Sequence, residues 1–312
     1  MEAASSERRA GTRTAGRRLA AGRRVEPAAF LFLAPSLVLF VVFIFWPLLR
    51  TVYLSFHGSD IVGRPTIFVG LDQYQLMLSS PTVRDVLANT FLFSLMTVVP
   101  SLVLAVVIAL LLQQRIAGIG VFRTLMATPF AFSVATASVV FAIFFNPGVG
   151  VFNSFLQLFG QHPVGWLTDP SRALASVAVT TVWLQLGYCV LVLSAGLGAI
   201  SEELYEAARL DGARALAMTR HVTLPLLTPT LFFLLVVTTI TSLQSFGQIH
   251  ILTRGGPAGA TTTLVYSVYV NAFAFGNSNF GLASAQAMVL FVVVLAVTTV
   301  QFGVLERRVF YR

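Results

Sequence analysis

Charged side chains are scarce in this 312-residue sequence, and lysine is absent altogether. Only 10% of the residues are charged, whereas a soluble domain usually carries about 25%. The hydrophobic fraction is 56% and the mean hydropathy is +0.84. This balance excludes an ordinary soluble domain and indicates a chain that crosses a membrane several times.

Cysteine and the common enzymatic motifs are also lacking. The single cysteine, Cys189, lies in an apolar run, so no disulfide can form within the chain, and no CxxC or Cys/His cluster for a metal is present. The sequence has no GxxxxGKS/T phosphate loop, no HExxH and no GxSxG. We therefore expect a protein that is not itself an enzyme, has no catalytic residues and binds no metal or cofactor.

The formal net charge of +8 comes from twenty arginines against twelve carboxylates. Seven of the arginines lie within the first 24 residues and most others flank apolar runs, which does not favour nucleic acid as a partner. No Asp or Glu falls within a predicted span, so a relay of buried carboxylates for proton-coupled transport is lacking. A secondary transporter or channel that acts alone stays the alternative of a different class, although no inverted repeat is visible.

Long apolar runs predict an all-α, polytopic membrane protein with six transmembrane helices, because a bilayer requires about 20 apolar residues in helical form. The predicted spans are residues 29–53, 86–112, 121–144, 173–198, 228–251 and 283–304. Another apolar stretch, residues 264–275, is too short to cross and is interpreted as an interfacial helix.

The arginines also predict the orientation of the spans, because cytoplasmic loops are enriched in Lys and Arg. Six crossings place both termini on one side, and fifteen of the twenty arginines fall on that side. Both termini are therefore expected in the cytoplasm. Residues 1–26, rich in Ala, Gly, Ser and Arg, are predicted to be a disordered basic tail near anionic lipid, and residues 27–312 to form the transmembrane domain.

Neutral polar residues occur within the spans. Those that are candidates for a solute pathway are Asn89, Trp183, Gln185, Tyr188, Gln244 and Gln248. Gln185 and Tyr188 are three residues apart, and Gln244 and Gln248 four apart, so each pair shares a helix face. Hydrogen bonding between helices is the alternative explanation for any one of them. A neutral lining of this kind suits a hydroxyl-rich solute better than an ion.

The most charged internal segment is EAARLDGARALAMTRHVTLP, residues 206–225. Ser201 is predicted to cap a helix over residues 202–210, whose first turn carries glutamates that the helix dipole favours. Gly212 is predicted to end this helix. An ordinary solvated loop is the alternative for a charged segment of this kind.

A second short helix is predicted over residues 214–221, with Asp211 as its cap. The prolines of TLPLLTP, residues 223–229, are predicted to end it, because a residue before proline is pushed out of the helical region. Two short helices joined at a glycine would then lie across the cytoplasmic mouth.

The spacing of this segment is specific. Glu206-Ala207-Ala208, Gly212, Val222 and Leu224-Pro225 fit the pattern EAA-x3-G-x9-I-x-LP, with valine in place of isoleucine. In this the chain resembles the permeases of ABC importers, where the pattern is the EAA motif. The basic tail and three further segments extend the resemblance to the carbohydrate type: FVGLDQY (68–74), FNPGVGVFN (145–153) and ILTRGGPAGATTTLVYSVY (251–269).

The resemblance covers residues 27–312 and, with the closing VQFGVLERRVFYR, is strongest to permeases of glycerol-3-phosphate and glycerophosphodiester importers. It implies a type I permease fold in the bacterial inner membrane and ATP-driven alternating access for such solutes, for example glycerophosphocholine. An oligosaccharide is the alternative solute. The implied partners are a second permease subunit, a homodimeric ATPase subunit that binds ATP and Mg, an extracytoplasmic solute-binding protein and the lipid bilayer.

The resemblance also implies roles for individual residues. The loop at 201–225 corresponds to the coupling helix that contacts the ATPase, and its candidate residues are Glu203, Glu206, Ala207, Ala208, Asp211, Gly212, Leu224 and Pro225. No basic residue lies in the middle of a span. The candidates for contacting a phosphate near the outer face are Arg50, Arg84, Arg172 and Arg254.

Overall fold

The computed structural model describes residues 27–60, 62–114, 116–273 and 278–306, without the side chains of residues 27–31 and Leu305. The predicted basic tail lies outside the described residues. The helices are α1 (Pro27–Phe40), α2 (Trp46–Ser55), α3 (Asp72–Ser79), α4 (Pro81–Leu112), α5 (Ile119–Ala127), α6 (Val134–Phe144), α7 (Val151–Leu158), α8 (Pro170–Gly198), α9 (Glu202–Leu210), α10 (Ala215–Met218), α11 (Leu224–Leu243), α12 (Gly247–Leu252), α13 (Leu264–Phe273) and α14 (Phe280–Val300). Strands β1 (His57–Ser59) and β2 (Pro65–Phe68) form an antiparallel hairpin.

The chain divides into two units. The first, Met1–Arg50, contains α1, a π-helical turn at Val41–Phe45 and the start of α2. The second, Thr51–Arg312, contains the remaining helices and the hairpin.

Five helical segments are long and apolar enough to cross a membrane. They are Phe32–Ser55, Pro81–Leu112, Pro170–Gly198, Ala215–Leu243 and Phe280–Val304. They correspond to the first, second, fourth, fifth and sixth predicted spans, and a bent pair of helices occupies the third. The all-α, polytopic class predicted from the composition is therefore confirmed. α13 is a separate helix of 10 residues, as its short apolar stretch predicted.

The third span is bent rather than straight. α5 continues into a 3-10 turn at Thr128–Ala131, and α6 begins after a bend of 103°. Phe132 and Ser133 adopt extended backbone conformations at the bend, and the Ser133 hydroxyl caps α6 by accepting a hydrogen bond from the Thr136 N–H. Because this hydrogen bond satisfies one N–H group at the start of α6, it lowers the cost of beginning a new helix at the bend. The prediction of one continuous helix over 121–144 is wrong.

The fifth span differs from the prediction at both ends. It begins with α10 at Ala215 and passes through a π-helical turn at Thr219–Thr223 into α11 without a break. Pro225 lies in the first turn of α11, and the π-helical turn before it changes the hydrogen-bonding pattern so that the missing proline N–H is tolerated. The expected helix end at TLPLLTP is therefore wrong. The span also ends at Leu243 instead of continuing to residue 251.

The core of the second unit lies where α4, α8 and α11 pack together. Ala105 and Ala109 of α4 are buried against Cys189 and Leu193 of α8 and Leu234 of α11. Small residues in such positions let membrane helices approach closely. Cys189 is fully buried and unpaired, in agreement with its predicted place among apolar residues.

The segment between α6 and α8 is held together by one buried amide. The Asn153 side chain donates to the carbonyls of Pro147 (3.1 Å) and Val164 (2.9 Å). Its Oδ1 accepts from the Val164 N–H (3.0 Å) and the Trp166 indole N–H (2.9 Å). Asn153 is only 1% exposed, and its hydrogen bonds thereby hold Pro147, Val164 and Trp166 together within the connection between α6 and α8.

Candidate functional site

A cavity of about 610 Å³ lies where the bend between α5 and α6 meets α8 and the junction of α11 with α12. Its polar lining residues are Thr181, Gln185, Tyr188, Thr238, Thr241, Gln244, Ser245 and Gln248. We call it the glutamine cavity. Among the residues described, no Asp, Glu, Arg or His lines it, so its chemistry is that of neutral donors and acceptors beside aromatic rings.

Two of the three glutamines are oriented by hydrogen bonds. Ser101 Oγ donates to Gln185 Oε1 at 3.2 Å, and Gln185 Nε2 contacts Thr241 Oγ1 at 3.5 Å. Ser245 Oγ donates to Gln248 Oε1 at 2.9 Å. These bonds hold the amide groups at fixed positions on the cavity wall, which favours a solute that is recognised by hydrogen bonds.

Close packing of Gly247 against the Val134 side chain brings the two broken helices together at this cavity. A Cβ atom on Gly247, the first residue of α12, would lie 2.7 Å from Cγ1 of Val134 at the start of α6. Any other residue here would force the Val134 side chain to shift, and glycine avoids this clash. The end of one span and the bend of another can therefore share one wall.

The structure brings together four of the six residues predicted for the solute pathway. Gln185, Tyr188, Gln244 and Gln248 line the glutamine cavity. Asn89 instead contacts the carbonyls of Gly259 and Thr262 in the loop after α12.

Trp183 also lies outside the lining and packs against Phe132 and Phe141, with ring centroids 5.5 Å apart in both cases. The sequence did not point to Phe130, Phe132 and Val134, which line the cavity from the bend. The sequence feature that could have indicated a helix break here is Pro129, which is followed four residues later by the capping Ser133.

The charged segment forms α9 and α10 at the opposite end of α8 and α11 from the α11–α12 junction. Glu203, Glu206, Ala207, Asp211 and Gly212 are exposed. Ala208, Leu224 and Pro225 are partly buried. Of the three residues of the EAA triplet, two are therefore exposed and one is partly buried.

The ends of these helices are formed differently from the prediction. Ser201 occupies the N-cap position of α9, but its side chain accepts no capping hydrogen bond. Asp211 is the C-cap of α9, and Arg214 is the N-cap of α10, so the prediction that Asp211 caps the second helix is wrong. Gly212 has φ of +80°, the left-handed conformation in which glycine ends a helix. The N–H of Ala213 donates to the Ala208 carbonyl across this turn.

A second cavity, of about 720 Å³, lies beneath α9. Gln113 and Gln114 line it from the end of α4, and Tyr205, Glu206 and Arg209 line it from α9. The Tyr205 hydroxyl lies 3.5 Å from Gln113 Nε2 and 3.3 Å from Thr223 Oγ1. The inward face of α9 is thus linked to α4 and to the turn that leads into α11.

The four candidate arginines differ in their surroundings. Arg50 belongs to the first unit, and Arg84 is exposed. Arg172 Nε lies 3.5 Å from Asp169 Oδ2. Arg254 is exposed and has φ of +51°, a conformation uncommon for a residue with a side chain. Burial raises the pKa of the nearby Tyr266, and the positive charge of Arg254 opposes this shift.

Comparison with known proteins relates the whole described fold to one family. The family "Binding-protein-dependent transport system inner membrane component" matches residues 28–311. The sn-glycerol-3-phosphate transport system permease protein UgpA of Agrobacterium fabrum is 39% identical over 285 residues, which cover 90% of this chain and 96% of that protein. The trehalose/maltose transport system permease protein MalF of Thermococcus litoralis is 36% identical, covering 90% and 94%.

The fold is also found in solved structures. A chain of a bacterial ABC transporter involved in the import of the acidic polysaccharide alginate superposes with a TM-score of 0.78 at 22% identity, covering 90% of this chain and 95% of the other. The predicted permease fold of type I is thereby confirmed. With its long apolar helices, the protein belongs to the family of binding-protein-dependent transport system inner membrane components, the multi-pass permeases of ABC importers.

Proposed function

We propose that this chain is one of two permease subunits of an ABC importer that translocates sn-glycerol-3-phosphate or glycerophosphodiesters into the cytoplasm. The observation that carries the solute class is the 39% identity to the Agrobacterium fabrum permease over 90% of the chain. The glutamine cavity supports it, since its amides and hydroxyls suit the glycerol moiety.

The proposed complex contains four kinds of chain. A UgpE-like permease forms a heterodimer with this chain, a homodimeric UgpC-like ATPase binds ATP and Mg, and a UgpB-like binding protein delivers the solute. Both termini lie in the cytoplasm, as the arginine distribution favours. This orientation places α9 on the cytoplasmic side, where exposed Glu206 is available to the ATPase. ATP-driven closure of the ATPase would then move α9 and the helices that line the cavity.

An oligosaccharide is the second candidate solute. It is favoured by the 36% identity to the Thermococcus litoralis permease and by a cavity lining without formal charge. Titration of the cognate binding protein with glycerol-3-phosphate, glycerophosphocholine and maltose-like sugars distinguishes the two classes.

Uptake by the complete complex in proteoliposomes tests the proposal. We expect ATP-dependent uptake of glycerol-3-phosphate or glycerophosphocholine that requires the binding protein. Uptake by this chain alone, without an ATPase subunit, would overturn the coupled mechanism in favour of a secondary transporter or channel. Glu206→Arg should lower solute-stimulated ATP hydrolysis and leave the solute affinity of the binding protein unchanged. Unaltered stimulation would contradict the role given to Glu206.

A further inference from the structure

The glutamine cavity presents a problem for a solute that carries a phosphate. No cationic side chain is among the described residues that line it. An anion that leaves water without compensating charge or hydrogen bonds is strongly destabilised. If the solute passes through this cavity, neutral groups must replace the water around its phosphate.

One group of donors is provided by the backbone at the start of α6. Phe132 and Val134 line the cavity, and α6 is a helix of 11 residues that begins there. Its cap, Ser133, satisfies the N–H of Thr136. Within the described part of the chain, the N–H groups of Val134 and Ala135 make no hydrogen bond. Free N–H groups and the helix dipole together favour negative charge at a helix start.

Side-chain amides provide a second and independent group of donors. Gln248 is only 8% exposed and lines the cavity. Its Oε1 is occupied by the Ser245 hydroxyl, and its Nε2 makes no hydrogen bond to any described residue. The side chain of Gln244 lines the same cavity and likewise has no partner there. Because the rest of this residue is buried and its amide nitrogen has no protein partner, the nitrogen is left to donate into the cavity, where a ligand can accept from it.

We propose that the phosphate of the solute is bound in the glutamine cavity by the N-terminus of α6 together with the side-chain amides of Gln244 and Gln248. This inference rests on the proposed function, since it assumes an importer of phosphorylated glycerol. Broken helices in other transporters direct their positive ends at anionic groups in the same way. Because no full positive charge is present, the phosphate is held weakly enough to leave toward the cytoplasm.

The test compares Gln248→Glu, Gln244→Glu and Gln248→Leu in the complete complex, with sn-glycerol-3-phosphate and glycerophosphocholine as solutes. A carboxylate removes the donors and repels the phosphate, most strongly for the doubly charged monoester. We expect each glutamate variant to lower glycerol-3-phosphate uptake at least tenfold and glycerophosphocholine uptake clearly less. Gln248→Leu should reduce the uptake of both solutes, but less than the glutamate variants reduce glycerol-3-phosphate uptake. Gln157→Glu, at an exposed position of α7, is the control for an added carboxylate elsewhere in the permease.

Basal ATP hydrolysis shows whether each variant assembles. Gln244 is exposed, so Gln244→Glu still tests the inference if Gln248→Glu does not fold. Wild-type uptake of both solutes by the glutamate variants, or equal loss for both solutes, would overturn the inference. Failure of the wild-type complex to transport either solute would overturn the proposed function instead.

Discussion

Gly187 of α8 lies directly against the backbone of Phe130 at the bend between α5 and α6. A Cβ atom on Gly187 would stand 2.6 Å from the Phe130 nitrogen and 3.1 Å from the carbonyl oxygen of Ala127. Because both are backbone atoms, no side-chain rotation can relieve the contact. The bend can pack against α8 only because this position is a glycine.

Gly187→Ala is therefore expected to displace the bend and to lower the stability of the purified permease by about 1–3 kcal/mol, as overpacking does. Solute uptake should fall with it, because Phe130 lines the glutamine cavity. Gly198→Ala on the same helix is the matched control, since an added Cβ there meets nothing within 4 Å. It should leave the thermal midpoint unchanged or raise it. Equal midpoints for the two variants would contradict the packing argument.

Replacing Asn153 should loosen the connection between α6 and α8. In Asn153→Asp the carboxylate can still accept from the Val164 and Trp166 N–H groups, but it cannot donate to the two carbonyls. We expect the free energy of unfolding to fall by about 2–4 kcal/mol, because the substitution removes two hydrogen bonds and places a carboxylate at a buried position.

Proteolysis within residues 145–169 should become faster in Asn153→Asp and faster still in Asn153→Leu. Gln157→Ala, at an exposed position of the same helix, should be cleaved at the wild-type rate. Unchanged cleavage of the Asn153 variants would show that the amide does not hold this segment.

Gly212 is conformationally constrained without being crowded. Its φ is +80°, and nothing lies within 4 Å of a Cβ added there. Gly212→Ala should therefore cost only about 1 kcal/mol, the penalty for a left-handed residue with a side chain. Gly212→Asn should cost less, because asparagine tolerates this conformation.

Solute-stimulated ATP hydrolysis should follow the same order, with Gly212→Ala lower than Gly212→Asn and both below wild type. A larger defect in the asparagine variant would indicate that the ATPase contacts this position directly.

The start of α8 should become less stable in acid. The Ser171 hydroxyl, assisted by the Ser171 N–H and the Arg172 charge, holds the pKa of Asp169 below its usual value of 3.8. A carboxylate with a depressed pKa in the folded state stabilises above its unfolded pKa, and this contribution is lost as the pH falls through the folded pKa. The thermal midpoint of Asp169→Asn should therefore depend less on pH than that of the wild type below about pH 4. Parallel pH profiles would refute the assignment.

Arg254 combines an exposed charge with an unfavourable backbone conformation, and two substitutions separate these properties. Arg254→Gln removes the charge and keeps the backbone cost, so it should lower uptake of a phosphorylated solute at low salt with little change in stability. Arg254→Gly removes both and should also raise stability by about 1–2 kcal/mol. Arg64→Gln, at another exposed arginine, is the control. Equal uptake by all three variants and the wild type would exclude Arg254 as a phosphate contact.

The sequence predicted the number and approximate limits of the spans because bilayer thickness dictates the length of an apolar helix. It did not predict whether the helix bends or continues at each proline. Pro129 precedes a bend, whereas Pro225 lies inside an uninterrupted helix. The difference arises from distant contacts, such as the space at Gly187, and from the π-helical turn before Pro225, and neither is encoded in the neighbouring residues.

The same distinction holds for the candidate site. Helical spacing correctly put Gln185 with Tyr188, because residues three or four apart share a face of α8. Gln244 and Gln248 line the same cavity, but the helix breaks between them, so the prediction that they share one helix face is wrong. The partners of Asn89 lie at Gly259 and Thr262, about 170 residues further along the chain. Spacing within one helix contains no information about such contacts, so the structural role of Asn89 could not be told from a lining role.

The uninterrupted helix from Ala215 to Leu243 has a mechanical consequence. Its 29 residues span about 43 Å. The helix runs from the segment beside α9 to Thr241 on the cavity wall without a non-helical break. If the helix moves as a unit, displacement of its first turn tilts its other end. Residues 244–246 form the short non-helical link between α11 and α12, so any change in the angle between these two helices has to occur there.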